Sequence, residues 1–110
     1  MDQAELLALR FRQQALTIDF WHDVDMHGGK AAASYYTEDA TFATSVREYQ
    51  GRQAIQAFYE SRRTRGARVS LHVVQNFRIE LASADEVRCQ YILSLFAADG
   101  EPVLPSRPAI

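Results

Sequence analysis

The chain has little of what marks secreted, membrane-spanning or nucleic-acid-binding proteins. Cys89 is its one cysteine, which excludes an internal disulfide and suits a reducing cytoplasm. No apolar run approaches the roughly 18 residues that a membrane-spanning helix needs. The first five residues, Met1 to Glu5, carry acid where a secretory leader carries positive charge. Only 3 prolines and 5 glycines occur, and no stretch of them could act as a linker, so residues 1–110 read as a single domain. A net charge of −2 provides no basic field for nucleic acid. Arg62, Arg63, Arg65 and Arg68 form the one basic cluster. It contains no aromatic and follows a helical segment, so it reads as a solvated helix end. Repeats, phosphate loops and nucleotide fingerprints are all missing.

What is there begins with a helix over residues 4–26. Leu7, Phe11, Gln14, Ile18 and Trp21 recur at intervals of three and four, the spacing of one face turned toward a core. One turn further along that stripe stands Asp25, and Gly28 and Gly29 follow as a stop signal. A carboxylate there meets apolar surroundings and the negative end of the helix dipole, so it is costly to keep unless paired or used. Asp23 falls off the stripe and reads as solvated.

Beyond the glycines, Lys30 to Tyr36 reads as a short alanine-rich helix, broken by Thr37-Glu38-Asp39. Ala40 to Ala43 and Val46 to Gln50 read as short extended pieces. Arg52 to Arg65 keeps helical spacing through Ile55, Phe58 and Tyr59, with Gly66 as its stop. The period then changes. Val69–Leu81 and Glu86–Ala98 are rich in β-branched and aromatic residues and are joined by Ser83-Ala84-Asp85, while Asp99-Gly100 marks another turn. Pro102, Pro105 and Pro108 keep the last stretch out of any central strand. Helices first and long antiparallel strands afterwards make the fold class α+β.

Several of these pieces together resemble the SnoaL-like branch of the nuclear transport factor 2-like superfamily. They are Phe20-Trp21-His22-Asp23-Val24-Asp25, Tyr35-Tyr36-Thr37-Glu38-Asp39-Ala40-Thr41-Phe42, Gly51-Arg52-Gln53-Ala54-Ile55-Gln56-Ala57-Phe58-Tyr59, and Leu71-His72-Val73-Val74-Gln75-Asn76-Phe77. The set runs from about Leu7 to Gly100. The resemblance implies a cone, a curved antiparallel sheet wrapped around about three helices, open to a pocket and dimeric through the sheet. It also implies a further strand after a proline-containing loop, so the domain is expected to lack its last strand.

Within that family the likeness is strongest to scytalone dehydratases and to the β subunits of ring-hydroxylating dioxygenases. In the dehydratases a helix-end aspartate and a strand histidine work together, at positions that correspond to Asp25 and His72. They also use tyrosines, and before the aspartate this chain has Val24. The β subunits share the His-x-x-x-Asn pattern of His72 and Asn76 yet are mainly structural. By strand periodicity His72 and Asn76 point to one face, with Val74 between them.

An aspartate that accepts a proton from one imidazole nitrogen fixes the tautomer and leaves the other nitrogen to act as a base. Asn76 either caps a strand bend or bonds backbone, or it orients a substrate oxygen, and Tyr36 or Tyr59 is placed to supply a phenolic donor. Trp21, Phe42 and Phe58 complete the candidate ligand box, with core packing as the alternative for Trp21, Phe58 and Tyr59. An isomerase, dehydratase, cyclase or hydrolase acting on a small hydrophobic ligand, without a cofactor, fits this set. A structural Asp–His hydrogen bond in a non-catalytic binding or dimerisation module fits it as well. His22 and His27 lie off the side that carries Asp25, and no zinc-binding spacing includes them, so no metal is expected. The expected partners are a small hydrophobic ligand and a second copy of the chain; nucleic acid and membrane are not.

Overall fold

Asp2 opens the first helix: its carboxylate accepts the Glu5 backbone N–H at 2.8 Å, while the Glu5 side chain reaches back to the Asp2 N–H at 3.4 Å. This reciprocal cap satisfies two backbone donors that a helix start leaves open. From it α1 runs over Gln3–His27, close to the expected 4–26. The structure, a computed structural model, describes residues 1–65, 69–98 and 104–105. Gly66, Arg68, Asp99-Gly100, Pro102 and Pro108 lie outside the described residues.

The fold is α+β. After α1 come a 3₁₀ turn (Ala32–Tyr35), β1 (Thr41–Ala43), β2 (Glu48–Gln50), α2 (Arg52–Thr64), β3 (Val69–Leu81), β4 (Val87–Ala98) and β5 (Leu104–Pro105). The expected alanine-rich third helix forms only as the 3₁₀ turn. It is too short to propagate an α-helix after two glycines, and its bonds run from Tyr36 N–H to the Ala33 carbonyl and from Ser34 N–H to that of Ala31. β1 and β2 pair antiparallel, and β3, β4 and β5 form a second antiparallel sheet in that order. Among the described residues neither sheet closes on itself. Pro105 stands in the edge strand β5, where a missing N–H does least harm.

Two compact units result, one within residues 20–68 and the other from residues 1–19 together with those from 69 onward. In the first, Val24, Ala32, Ile55 and Tyr59 form the core, surrounded by half-buried aromatics. Ile55 and Tyr59 are one turn apart on α2, which is why that face is the buried one. Arg52 and Arg63 tie α2 down by donating to the backbone carbonyls of Tyr36 and Gly28, at 2.8 Å through Nε and 3.1 Å through Nη1.

The stripe on α1 is only partly as expected. Gln14, Trp21 and Asp25 are half-buried, but Leu7, Phe11 and Ile18 are 63%, 74% and 47% exposed. Spacing identifies an apolar side, whereas burial depends on which neighbour covers it. The last turns are covered, and there the inward residues are Phe20, Trp21 and Val24.

In the second unit β3 and β4 form a long hairpin whose register shifts between Gln75 and Arg78. Gln75 opposes Ile92 and Arg78 opposes Gln90, so Asn76 and Phe77 together face Tyr91. Two residues against one is a β-bulge. Asn76 takes φ +53, a left-handed conformation that asparagine tolerates better than most residues.

Candidate functional site

Five of the aromatics expected to line a site come together in one unit. Phe42 is the hub, with ring centroids 5.5 Å from Phe58, 6.3 Å from Tyr59 and 6.4 Å from Tyr36. Phe20 joins Trp21 edge-on at 4.8 Å and Tyr36 at 5.8 Å, linking α1 to the same layer. Such contacts each add about 0.5–1.5 kcal/mol beyond burial. Tyr59 is core, at 3% exposure, while Trp21, Tyr36, Phe42 and Phe58 are half-buried and border the layer. Phe20 and Tyr49 belong to it too and were missed. Tyr49 stacks on Phe42 at 5.8 Å because the β1–β2 register sets it directly opposite, a pairing that two short extended segments around a turn do foreshadow.

Asp25 follows Trp21 by one helical turn, on the flank of the side that packs into this layer, and is half-buried. Asp23 overturns its expectation. It is 8% exposed, and its carboxylate accepts the Ala31 N–H at 3.0 Å, while its carbonyl accepts the Gly29 N–H at 3.1 Å. Helical counting placed it in solvent because counting ends with the helix. The turn at Gly28 and Gly29, both at positive φ, brings the following backbone back over it. Asp23 therefore has a structural task, closing the turn that follows α1.

His72 is half-buried on β3, opposite Leu95 and on the face that also carries Ser70 and Val74. Asn76 does not share that face. The bulge breaks the two-residue period, leaves Asn76 exposed, and gives its inward place to Phe77, which is 3% exposed and stacks on Tyr91 at 5.8 Å. Asn76 thus shapes the strand and is not aligned with His72. Its role in a strand bend is as expected from an asparagine inside an otherwise β-branched run, and only its alignment with His72 fails. Asn76→Gly is expected to leave stability nearly unchanged, whereas Asn76→Val lowers it by about 1–2 kcal/mol, measured as the urea midpoint at constant slope.

Cys89 is exposed on β4, although a lone cysteine within a strand reads from sequence as a small buried residue. Partial burial pushes its thiol above the usual value, which disfavours the thiolate a nucleophile needs. His22 and His27 lie on the solvent side, rings edge-on at 5.9 Å. Among the described residues no group of three or more His, Cys, Asp or Glu side chains could hold a metal ion. No described helix is long and apolar enough to cross a membrane.

Known proteins share this architecture. A protein from Catenulispora acidiphila superposes with a TM-score of 0.82 at 18% identity, covering 96% of this chain and 78% of its own. A second Catenulispora acidiphila structure, in complex with S-DNPA, gives 0.78 at 21% identity, covering 96% and 77%. The β subunit of the benzoate 1,2-dioxygenase from Burkholderia mallei gives 0.71 at 17%, covering 96% and 74%. At these identities the likeness shows the fold alone. No curated protein matches in sequence. The model of the SnoaL-like domain matches residues 14–107, and the chain belongs to that family, within the nuclear transport factor 2-like superfamily.

Proposed function

We propose that this SnoaL-like protein binds a small hydrophobic ligand and acts on it by acid–base chemistry, with Asp25 and His72 as a proton-sharing dyad. The reaction class is isomerisation, dehydration, cyclisation or hydrolysis. One observation carries the reading: each of the two groups is half-buried on the apolar side of its own unit, Asp25 beside the aromatic layer and His72 on the buried face of β3. A charged or titratable side chain held there is unusual unless paired or used. The small ligand in one Catenulispora structure lends support to a ligand-binding role. Trp21, Tyr36, Phe42 and Phe58 supply the apolar walls, and Tyr36 a phenolic donor; Tyr59, fully packed, serves as their support.

The test is a screen of carbonyl, phenolic and polyketide-like compounds against wild type and His72→Ala. Binding that survives while turnover disappears supports the dyad. Equal loss of both supports a binding module without turnover, and unchanged turnover sinks the dyad outright.

A dimerisation role is favoured by a separate observation. The hairpin face opposite His72 carries Val69, Leu71 and Val73, 58%, 42% and 40% exposed, beside Ile92 and Phe96. Past the bulge that face turns charged, with Arg78, Glu80 and Arg88. Phe77 and Ile79, which unbroken alternation from Leu71 and Val73 would set on this face, stand on the other because of the bulge. The homodimer contact we propose is therefore confined to the apolar half. Leu71→Lys with Val73→Lys is expected to turn a dimer into a monomer in light scattering at micromolar concentration. A wild type that is already monomeric there removes the proposal.

A further inference from the structure

The first turns of α1 and the bulge of β3 belong to one compact unit. Between them lies a cleft of about 250 Å³ lined by Leu6, Leu7, Arg10, Phe77, Arg78 and Ile79. Its apolar lining is partly wet: Phe77 is buried, but Leu6 and Leu7 are 39% and 63% exposed. Both of its charges are positive. Among the described residues neither arginine meets a carboxylate. Glu5, the acid nearest Arg10 along the helix, is engaged in the helix cap. Among the described residues Glu80, two positions beyond Arg78, forms no ion pair, and the Arg88 guanidinium lies 3.6 Å from Glu86.

An apolar cleft rimmed by two unpaired guanidinium groups favours a molecule that combines a hydrocarbon body with one anionic head. Carboxylates suit this best, because the planar fork of arginine matches their two oxygens. A neutral ligand gains only the apolar contact, and a small inorganic anion only the charge. At about 250 Å³ the cleft suits an apolar body of medium size. We infer that this cleft is a ligand site of its own, one that does not use His72, and that it takes a medium-chain or aryl carboxylate. The residues involved are Leu6, Leu7, Phe77 and Ile79 for the body and Arg10 and Arg78 for the head.

Calorimetric titration of the full chain with decanoate, 1-decanol and butyrate, below any micelle-forming concentration, tests it. Decanoate is expected to bind at least tenfold more tightly than either of the others. Arg10→Gln with Arg78→Gln lowers decanoate affinity about tenfold and leaves decanol unaffected. Leu7→Ser, at an exposed position that tolerates it, weakens decanoate and decanol together. Raising the salt concentration weakens decanoate alone, since the rim charges are screened. Equal affinity for decanoate and decanol overturns the assignment, as does a double arginine variant that binds decanoate like wild type. His72→Gln separates the two sites: the cleft keeps its affinity in that variant, and loss of decanoate binding there overturns a separate site while leaving the acid–base reading intact.

Discussion

His72→Gln is expected to slow turnover of any substrate found for this protein by about a hundredfold to ten-thousandfold, the usual contribution of a positioned general base. Glutamine keeps the polarity and much of the volume, so the strand face with Ser70 and Val74 stays packed and ligand affinity changes little. Asp25→Asn is expected to act through the histidine: an amide can donate toward the ring where a carboxylate accepts, which favours the wrong tautomer. The decisive variant is the double one. If the two groups work as one device, Asp25→Asn with His72→Gln costs about the same as the worse single change, because removing the second member of a broken pair removes nothing further. Losses that simply multiply would mean two independent residues. Measuring kcat and KM separately guards against a merely structural effect, since a loosened fold raises KM and lowers the folded fraction together. A wild-type rate in either single variant rules the dyad out.

The elements of this fold are legible in its residues, the faces of those elements less so. β3 was delimited as Val69–Leu81 in both sequence and structure, since its β-branched run and its flanking turn are local signals. The aromatic layer was legible for the same reason: Tyr36, Phe42, Phe58 and Tyr59 lie in segments whose ends are marked by turn residues. What failed each time was an extrapolated period. Asn76 was set beside His72 by counting in twos, and the bulge inserts an uncounted residue between them. Asp23 was set in solvent by helical counting, and a loop that follows the helix buried it. Leu7 and Phe11 were set inward because their spacing is right, yet spacing carries no information about what covers a stripe. Periodicity describes one element by itself, so it misses whatever another segment or a left-handed residue does to that element.

Gly29→Ala is the stability prediction with the largest effect. Gly29 has φ +77, where an L side chain costs about 1–2 kcal/mol. Space is the second obstacle. A methyl group on Gly29 would lie 2.5 Å from Cδ1 and 2.9 Å from Cγ of the Tyr59 ring, well inside contact distance. Tyr59 is 3% exposed and held between Phe20, Phe42 and Phe58, so the ring has nowhere to retreat. Overpacking of that kind typically adds about 1–3 kcal/mol. Together the two effects lower stability by about 2–5 kcal/mol, a large share of the total for a domain of this size. The melting temperature is expected to fall by about 8–20 °C. Gly28→Ala is the control: its φ of +64 carries the same backbone cost, but its methyl group meets only Arg63 Cγ and Cδ at 2.9 Å, and a flexible side chain can move aside. The difference between the two alanine variants therefore isolates the Tyr59 contact. Should both melt alike, the ring does not lie over Gly29, and the turn that buries Asp23 is held by its backbone bonds alone. Should Gly29→Ala alone collapse, Tyr59 locks the end of α1, and the aromatic layer is what holds the helix turn that carries Asp25.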